Sequence, residues 1–354
     1  MKRTILLVLC LTAGLLSARA QEPYFSIDEM PDLVKCLPAP PDTASLDFAH
    51  DVMCYMTGKA ARADSCRAAM AERDAIWDLD TLAAIFSEPF GLKIDKEATP
   101  EIYKAFISGL KTIELIRIRP KAHFMRKRPF ERFQEHLYTS WEEDELRGEG
   151  SYPSGHTIRG WSAALILSAI NPAAANDLYA RGWEYGQSRV IVGAHWQSDV
   201  DASRPAASIG YALLQTHPAF LEQMEKAREE YTEAAYGAMA DDIWTFSQTH
   251  PDGFTMSVST WEEPAEGIAV AYSATQDMHD RSDLDFVISH AQSHDGYVGG
   301  WLDKKTGRYY FDSVRIFPED ALEEARKFGQ ENGQISIYIL SKGKEVRLKK
   351  NRAR

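Results

Sequence analysis

The sequence predicts an all-α helical bundle followed by a small α+β domain, and three observations lead there. From about residue 47 to 240, apolar residues recur at three-and-four spacing with few strand-like runs. After His250-Pro251-Asp252-Gly253 the texture changes to alternation, with Phe254, Met256 and Val258 separated by small polar residues. At 354 residues the chain also exceeds the usual size of one domain, which leaves room for one large unit and one smaller one.

Residues 1–20 combine a basic start (Lys2, Arg3), an apolar run over 5–16 and a small-residue end at Ala18-Arg19-Ala20, the pattern of a secretory signal cleaved before Gln21. The apolar run falls short of the roughly 20 residues a membrane anchor needs. Cys10 follows Leu9 rather than a small residue, which speaks against a lipoprotein anchor. Residues 21–41 are Pro-rich and read as an extended arm wrapped around a domain. Helical spacing then covers 47–59, 61–86, 100–117, 128–138, 157–170, 172–192, 195–214 and 218–240; Thr99-Pro100-Glu101 is a favourable helix start because proline lacks only an N–H that would be unsatisfied anyway. The second domain reads as strands at 254–258, 267–272, 297–302 and 308–316. To these it adds helices at 284–291 and 318–329, a turn at 303–307, a closing hairpin around Gly343 and a frayed basic tail at 349–354. The expected division is thus a signal at 1–20, an all-α domain with its arm at 21–245 and an α+β accessory domain at 250–354. No internal repeat is visible.

Loss of the signal with its three cations takes the net charge from -12 to -15. That charge opposes nucleic acid and anionic membrane surfaces, and no later stretch is apolar and long enough to span a bilayer. Any phosphate site must therefore be a local basic island. Cys36, Cys54 and Cys66 remain, enough for one disulfide and a spare thiol; a Cys54–Cys66 pair and three buried thiols are both open readings.

Three ordered blocks supply such an island and its chemistry: KAHFMRKRP at 121–129, GSYPSGHT at 150–157 and SRVIVGAHWQSD at 188–199. A phosphoryl group in transfer spreads negative charge over its oxygens and calls for fixed cationic and N–H donors. Lys121, Arg128 and Arg189 are the candidate cations, with Pro129 fixing the backbone of Arg128. Ser154, Gly155 and His156 lead into an apolar helical pattern, so N–H groups at a helix start can face an anion while the Ser154 hydroxyl adds a donor. His156 is placed to protonate a departing alkoxide. His195 and Asp199, four apart, share a face if the segment is helical, and the carboxylate can hold one imidazole nitrogen protonated while the other attacks. Each block alone has a bland reading, as a solvated basic surface, an N-cap with a surface histidine, or a structural His–Asp pair; the ordered set outweighs them.

The set resembles the acid phosphatase and vanadium haloperoxidase superfamily, of the type 2 phosphatidic acid phosphatase kind. GSYPSGHT and GAHWQSDVDASR are most similar to the class A bacterial nonspecific acid phosphatases. The resemblance runs from about residue 24 to 240 and implies that family's all-α catalytic fold. It implies that His195 forms a phosphohistidine, that Asp199 orients it, and that His156 acts as acid and then activates water. It also implies phosphate binding by Lys121, Arg128, Ser154, Gly155 and Arg189, with no metal and no cofactor. The substrate class is a small phosphomonoester and the expected location is periplasmic or secreted, with vanadate as an inhibitor that mimics phosphate. A homodimer follows only by analogy with the family.

Several readings stay open at this stage. The same site can serve a vanadium-dependent haloperoxidase, a phosphotransferase, or a nucleotide or pyrophosphate-lipid phosphatase; a non-enzymatic alternative is a surface-binding protein acting through its C-terminal domain. Trp301, Tyr309, Tyr310 and Phe311 form either a binding face or part of a core. Phe130 lines either the leaving-group side or the core, and Trp196 is read as packing. Asp201 and Arg204 are expected to pair. His290 and His294, with Asp295 beside them, lack a convincing further zinc ligand and read as a polar loop.

Overall fold

The structure is a computed structural model that describes residues 22–348. The expected signal, its cleavage point and the basic tail lie outside the described residues. The chain divides into two compact units, Met1–Tyr231 and Thr232–Arg354. The division falls within a helix, whereas the change in sequence texture lies nearer 250.

The first unit comprises α1 (Leu46–Ala61), α2 (Ser65–Asp74), α3 (Leu79–Phe90), α4 (Pro100–Ile113), α5 (Ile118–Phe124), α6 (Pro129–Phe133), α7 (Glu143–Leu146), α8 (Gly155–Ile170), α9 (Ala175–Ile191), α10 (Gln197–Leu214) and the first part of α11 (Pro218–Thr249). At its centre α8 is buried on nearly every side, which requires small or apolar residues all round; Ile158, Ala163, Ala164, Ile166 and Leu167 meet that demand. It packs against α4, α9 and α10. A Cβ at Gly160 would run into the Tyr185 ring, so glycine there sets how closely α8 approaches α9. That approach matters because the first turn of α8 and the last turn of α9 both carry motif residues. The Pro-rich arm does wrap this core: Met30, Leu33 and Leu37 are buried, and the Tyr24 amide donates to Thr112 Oγ1 at 2.9 Å.

Four helix expectations need correction. The stretch 61–86 is two helices, because the side chains of Asp64 and Asp78 each accept backbone N–H bonds and start new helices at Ser65 and Leu79. The expected helix at 128–138 stops at Phe133, where Gln134 takes a left-handed conformation and closes the turn onto Phe130. The helix expected from 195 starts only at Gln197, since Trp196 is extended and acts as its N-cap. The helix expected at 218–240 runs on to Thr249. The three described cysteines are free: Cys36 and Cys66 are exposed and Cys54 is partly so, with its sulfur against His50. Neither the Cys54–Cys66 pair nor a set of buried thiols is formed.

The second unit carries a six-stranded antiparallel sheet in the order β1-β3-β4-β2-β5-β6, from β1 (Phe254–Ser257), β2 (Ile268–Ala271), β3 (Tyr297–Asp303), β4 (Arg308–Phe317), β5 (Ser336–Ile339) and β6 (Lys344–Arg347). Phe254, Val298 and Phe311 on the sheet, Val287 and Ile288 of α12 (Leu284–Gln292) and Ala240 and Ile243 of α11 form one core; Ile268, Phe317, Ile337 and α13 (Leu322–Glu331) form another. Strand alternation splits the four aromatics that the sequence left undecided. Phe311 is core with Tyr309 packed beside it, whereas Trp301 pairs across the strands with Tyr310, their rings stacked 5.0 Å apart. No helix among the described residues is long and apolar enough to cross a membrane.

Candidate active site

Chain geometry brings the three motif blocks to one buried polar pocket. Lys121 lies on α5, Arg128 is the extended residue before α6, Ser154 caps α8, Arg189 ends α9, and His195 sits in the turn between α9 and α10. Gly193, at φ +87°, reverses the chain after α9 so that the His195 amide donates to the Arg189 carbonyl at 3.2 Å. His195 and Asp199 therefore do not share a helix face as their spacing suggests. They meet because Asp199 is the third residue of α10: its Oδ2 accepts from the Trp196 amide at 2.9 Å and lies 3.4 Å from His195 Nδ1.

The ring of His195 has a readable tautomer. Arg128 Nη1 donates to its Nε2 at 3.1 Å, and a guanidinium can only donate, so Nε2 holds the lone pair and Nδ1 the proton. The Nδ1 side faces Asp199. Asp199 is held in turn by Arg126, whose Nη1 donates to Oδ1 at 2.5 Å while Nη2 donates to Asp51 at 2.6 Å. Asp51 also accepts from the Ser198 amide and hydroxyl, at 2.8 and 2.6 Å.

Around Nε2 stand the three motif cations. Arg128 also donates to the carbonyls of Leu146 and Ala194, at 3.1 and 3.0 Å, and Lys121 donates to Gly150 at 2.5 Å. Arg189 is 0% exposed; its Nη2 donates to Glu142 at 2.8 Å, while Nε and Nη1 are buried with no acceptor. Two unmet guanidinium donors in the interior are costly, and an incoming oxyanion would satisfy them.

Ser154 Oγ accepts from the amide and hydroxyl of Thr157, at 3.3 and 2.9 Å, which leaves its own proton to donate. The N–H groups of Gly155 and His156 open α8 and have no acceptor within that helix. His156 lies 3.1 Å from the Ala75 carbonyl through Nε2, which fixes a proton there and leaves Nδ1 as the reactive nitrogen.

Every shifted group here moves toward neutrality. Burial, then Arg128 and Arg117, hold Lys121 well below an ordinary lysine. Burial and Arg189 bring Arg128 down to about 10. His195 is pushed well below 6.5 by burial, then by Arg128, Lys121 and Arg189, and His156 by burial, then by Arg189 and His195. Crowded positive charge is the common cause after burial, so a bound oxyanion reverses each shift.

All eight residues expected at the site, His195, His156, Asp199, Lys121, Arg128, Ser154, Gly155 and Arg189, are brought together. Sequence reasoning missed Glu142, Arg126 and Asp51. Phe130 and Trp196 belong to packing: Phe130 lies in a small core with Leu137 and Val192, and Trp196 against Phe48 and Tyr55. Arg204 pairs with Asp201 at 2.9 Å. In the second unit His290 and His294 stack 3.9 Å apart, while Asp295 is engaged by Tyr272 and Arg315. An open cleft of about 950 Å³ between α2, α3 and α9 is lined by none of the site residues.

The chain is similar to known phosphatases. The family model of the PAP2 superfamily matches residues 105–220. A non-specific acid phosphatase of Salmonella typhimurium is 41% identical over 216 residues, which is 60% of this chain and 86% of that protein. One from Providencia stuartii is 39% identical over 209 residues, 59% and 84% of the two chains. An acid phosphatase of Zymomonas mobilis is 32% identical over 245 residues, 66% and 92%.

Proposed function

We propose, from the premise that this chain belongs to the non-specific acid phosphatases of the PAP2 superfamily, that it hydrolyses phosphate monoesters through a phosphohistidine at His195. As a member it is an acid phosphatase, a phosphomonoester hydrolase. The observation that carries the finer reading is the pair of unmet Arg189 donors beside the lone pair of His195 Nε2.

In this reading the phosphoryl oxygens take the free donors of Arg189, Lys121, Arg128 and Ser154 and the first N–H groups of α8. His195 Nε2 attacks phosphorus; the N–P bond forms as the P–O bond to the alcohol breaks, and His156 Nδ1 delivers a proton to the leaving oxygen. Asp199 stabilises the positive charge that develops on the His195 ring, and Arg126 keeps Asp199 in place. In the second half, His156 Nδ1 takes a proton from water, the water oxygen attacks phosphorus, the N–P bond breaks, and phosphate leaves. The oxyanion itself raises the pKa of His156, so binding arms the acid. The pattern of residues 2–20 supports a periplasmic or secreted enzyme.

The test is hydrolysis of p-nitrophenyl phosphate between pH 4 and 8 with EDTA present. Turnover should persist in EDTA, fall with vanadate, and drop at least about 10³-fold in His195→Ala. Activity that EDTA abolishes, or that His195→Ala retains, would overturn the mechanism.

A further inference from the structure

Arg117 lies in the 3₁₀ turn Glu114–Arg117, about one helical turn before Lys121, and it is absent from the three motif blocks. Among the described residues no carboxylate is within ion-pair distance of it, and its Nε is buried without an acceptor. The expected partner, Glu114 on the same turn, is engaged elsewhere: Arg159 Nε donates to Glu114 Oε2 at 2.5 Å.

The free guanidinium is at the phosphate loop. A Cβ on Gly155 would lie 3.0 Å from Arg117 Cδ and 3.4 Å from its Nε. Trp77, 42% exposed, packs its ring 4.6 Å from His156, and the Arg117 guanidinium carbon stands 5.3 Å from that same ring. Arg159 covers the indole at 3.2 Å. The general acid must face the leaving oxygen, so whatever that oxygen carries passes the groups packed around His156. Trp77 and Tyr185 pack against the His156 ring, and Arg117 stands on the same Trp77 ring and beside Gly155.

We propose that Arg117 and Trp77 form a leaving-group subsite that favours phosphate esters bearing a second oxyanion, a carboxylate or a further phosphate, close to the ester oxygen. A guanidinium with unmet donors is matched by a planar carboxylate or a phosphate, both of which can take two parallel N–H bonds. Lys121 and Arg159 add positive potential beside it, while Glu114 and Glu149 act against it. The part of the indole that Arg159 leaves exposed is an apolar surface beside the Arg117 guanidinium. This subsite rests on the phosphatase reading, with His156 as the acid.

Three esters with the same primary-alcohol leaving oxygen isolate the effect: glycerol 3-phosphate, 3-phosphoglycerate and glycerol 1,3-bisphosphate. The native full chain should show kcat/KM at least about fivefold higher for one or both anionic esters than for glycerol 3-phosphate; which one exceeds it names the oxyanion. Arg117→Gln should bring that ratio to about one, and Arg117→Lys should keep part of it. A ratio near one in the native protein, or one that survives Arg117→Gln, would overturn the subsite. If the native protein hydrolyses none of the three, the phosphatase reading itself fails and the subsite falls with it.

Discussion

The two units bury polar groups in opposite ways. Among the described residues, every fully buried charged side chain or histidine lies in the first unit, including Asp51, Arg128, Glu142, His156, Arg189, His195 and Asp199, whereas the second fully buries only Ser247, Thr255, Thr275 and Ser313 of its polar residues and holds Asp312 half-buried. Taking a charge out of water costs several kcal/mol unless it is paired and hydrogen-bonded. The first unit bears that cost and still leaves Arg189 short of two acceptors, which a ligand entering the pocket would supply. The second unit, with aromatic and aliphatic cores under a sheet, has no comparable debt. A buried and incompletely paired charge is thus a sharper pointer to chemistry than a cleft, and the 950 Å³ cleft between α2, α3 and α9 shows the difference.

The contrast can be broken most forcefully at Arg189. Replacing it alone would strand Glu142, so the informative variant is Arg189→Met with Glu142→Gln. It should lose at least about 10²-fold in kcat/KM, and it should also lose the rise in melting temperature that inorganic phosphate gives the native protein. A variant that phosphate still stabilises as strongly would mean the unmet donors are not the ligand's. Next in size is the titration of His156. Its pKa lies well below 6.5 in the free protein because of burial, Arg189 and His195, and bound phosphate should raise it. Imidazole NMR titrations with and without phosphate, assigned through His156→Asn, read this directly; coincident curves would count against the account.

The smallest effect belongs to the second unit. Asp312 beside Trp301 is pushed up to about 7 by burial, with Asp277 adding to the shift. Its native pKa exceeds the ordinary 3.8, so between those values the folded state holds a proton that the unfolded chain has lost. Stability from this group is therefore full below about pH 4 and declines as pH rises through 7. Asp312→Asn should raise the calorimetric melting temperature by about 3 °C at pH 8 and by clearly less at pH 4.5. Equal shifts at both pH values would show that burial of the carboxyl is not the cause.

Motif residues were legible because phosphate chemistry demands a few residue types in a fixed order, and local order survives in sequence. Their supports were not. Glu142 sits in the acidic run Trp141-Glu142-Glu143-Asp144-Glu145, where composition cannot tell one carboxylate from the next, and it reaches Arg189 across 47 residues. Arg126 lies inside the first block, where nothing local sets it apart from the neighbouring cations, because its partners Asp51 and Asp199 are 75 and 73 residues away. Periodicity found the helices and blurred their ends, since apolar spacing runs straight through Asp64 and Asp78, where side-chain caps restart the helix. The same blurring put His195 on a helix that begins two residues later. The all-α and α+β textures were both correct, while the division between compact units fell inside α11, where nothing in the composition changes.

The central claim is that His195 carries the phosphoryl group, and rapid quenching of the native protein during turnover of a ³²P-labelled monoester tests it most directly. The account predicts an acid-labile, base-stable phosphoenzyme, mapped by peptide analysis to His195 and formed and consumed at rates compatible with kcat. Label on another residue, or a label on His195 consumed far too slowly to support turnover, would contradict it.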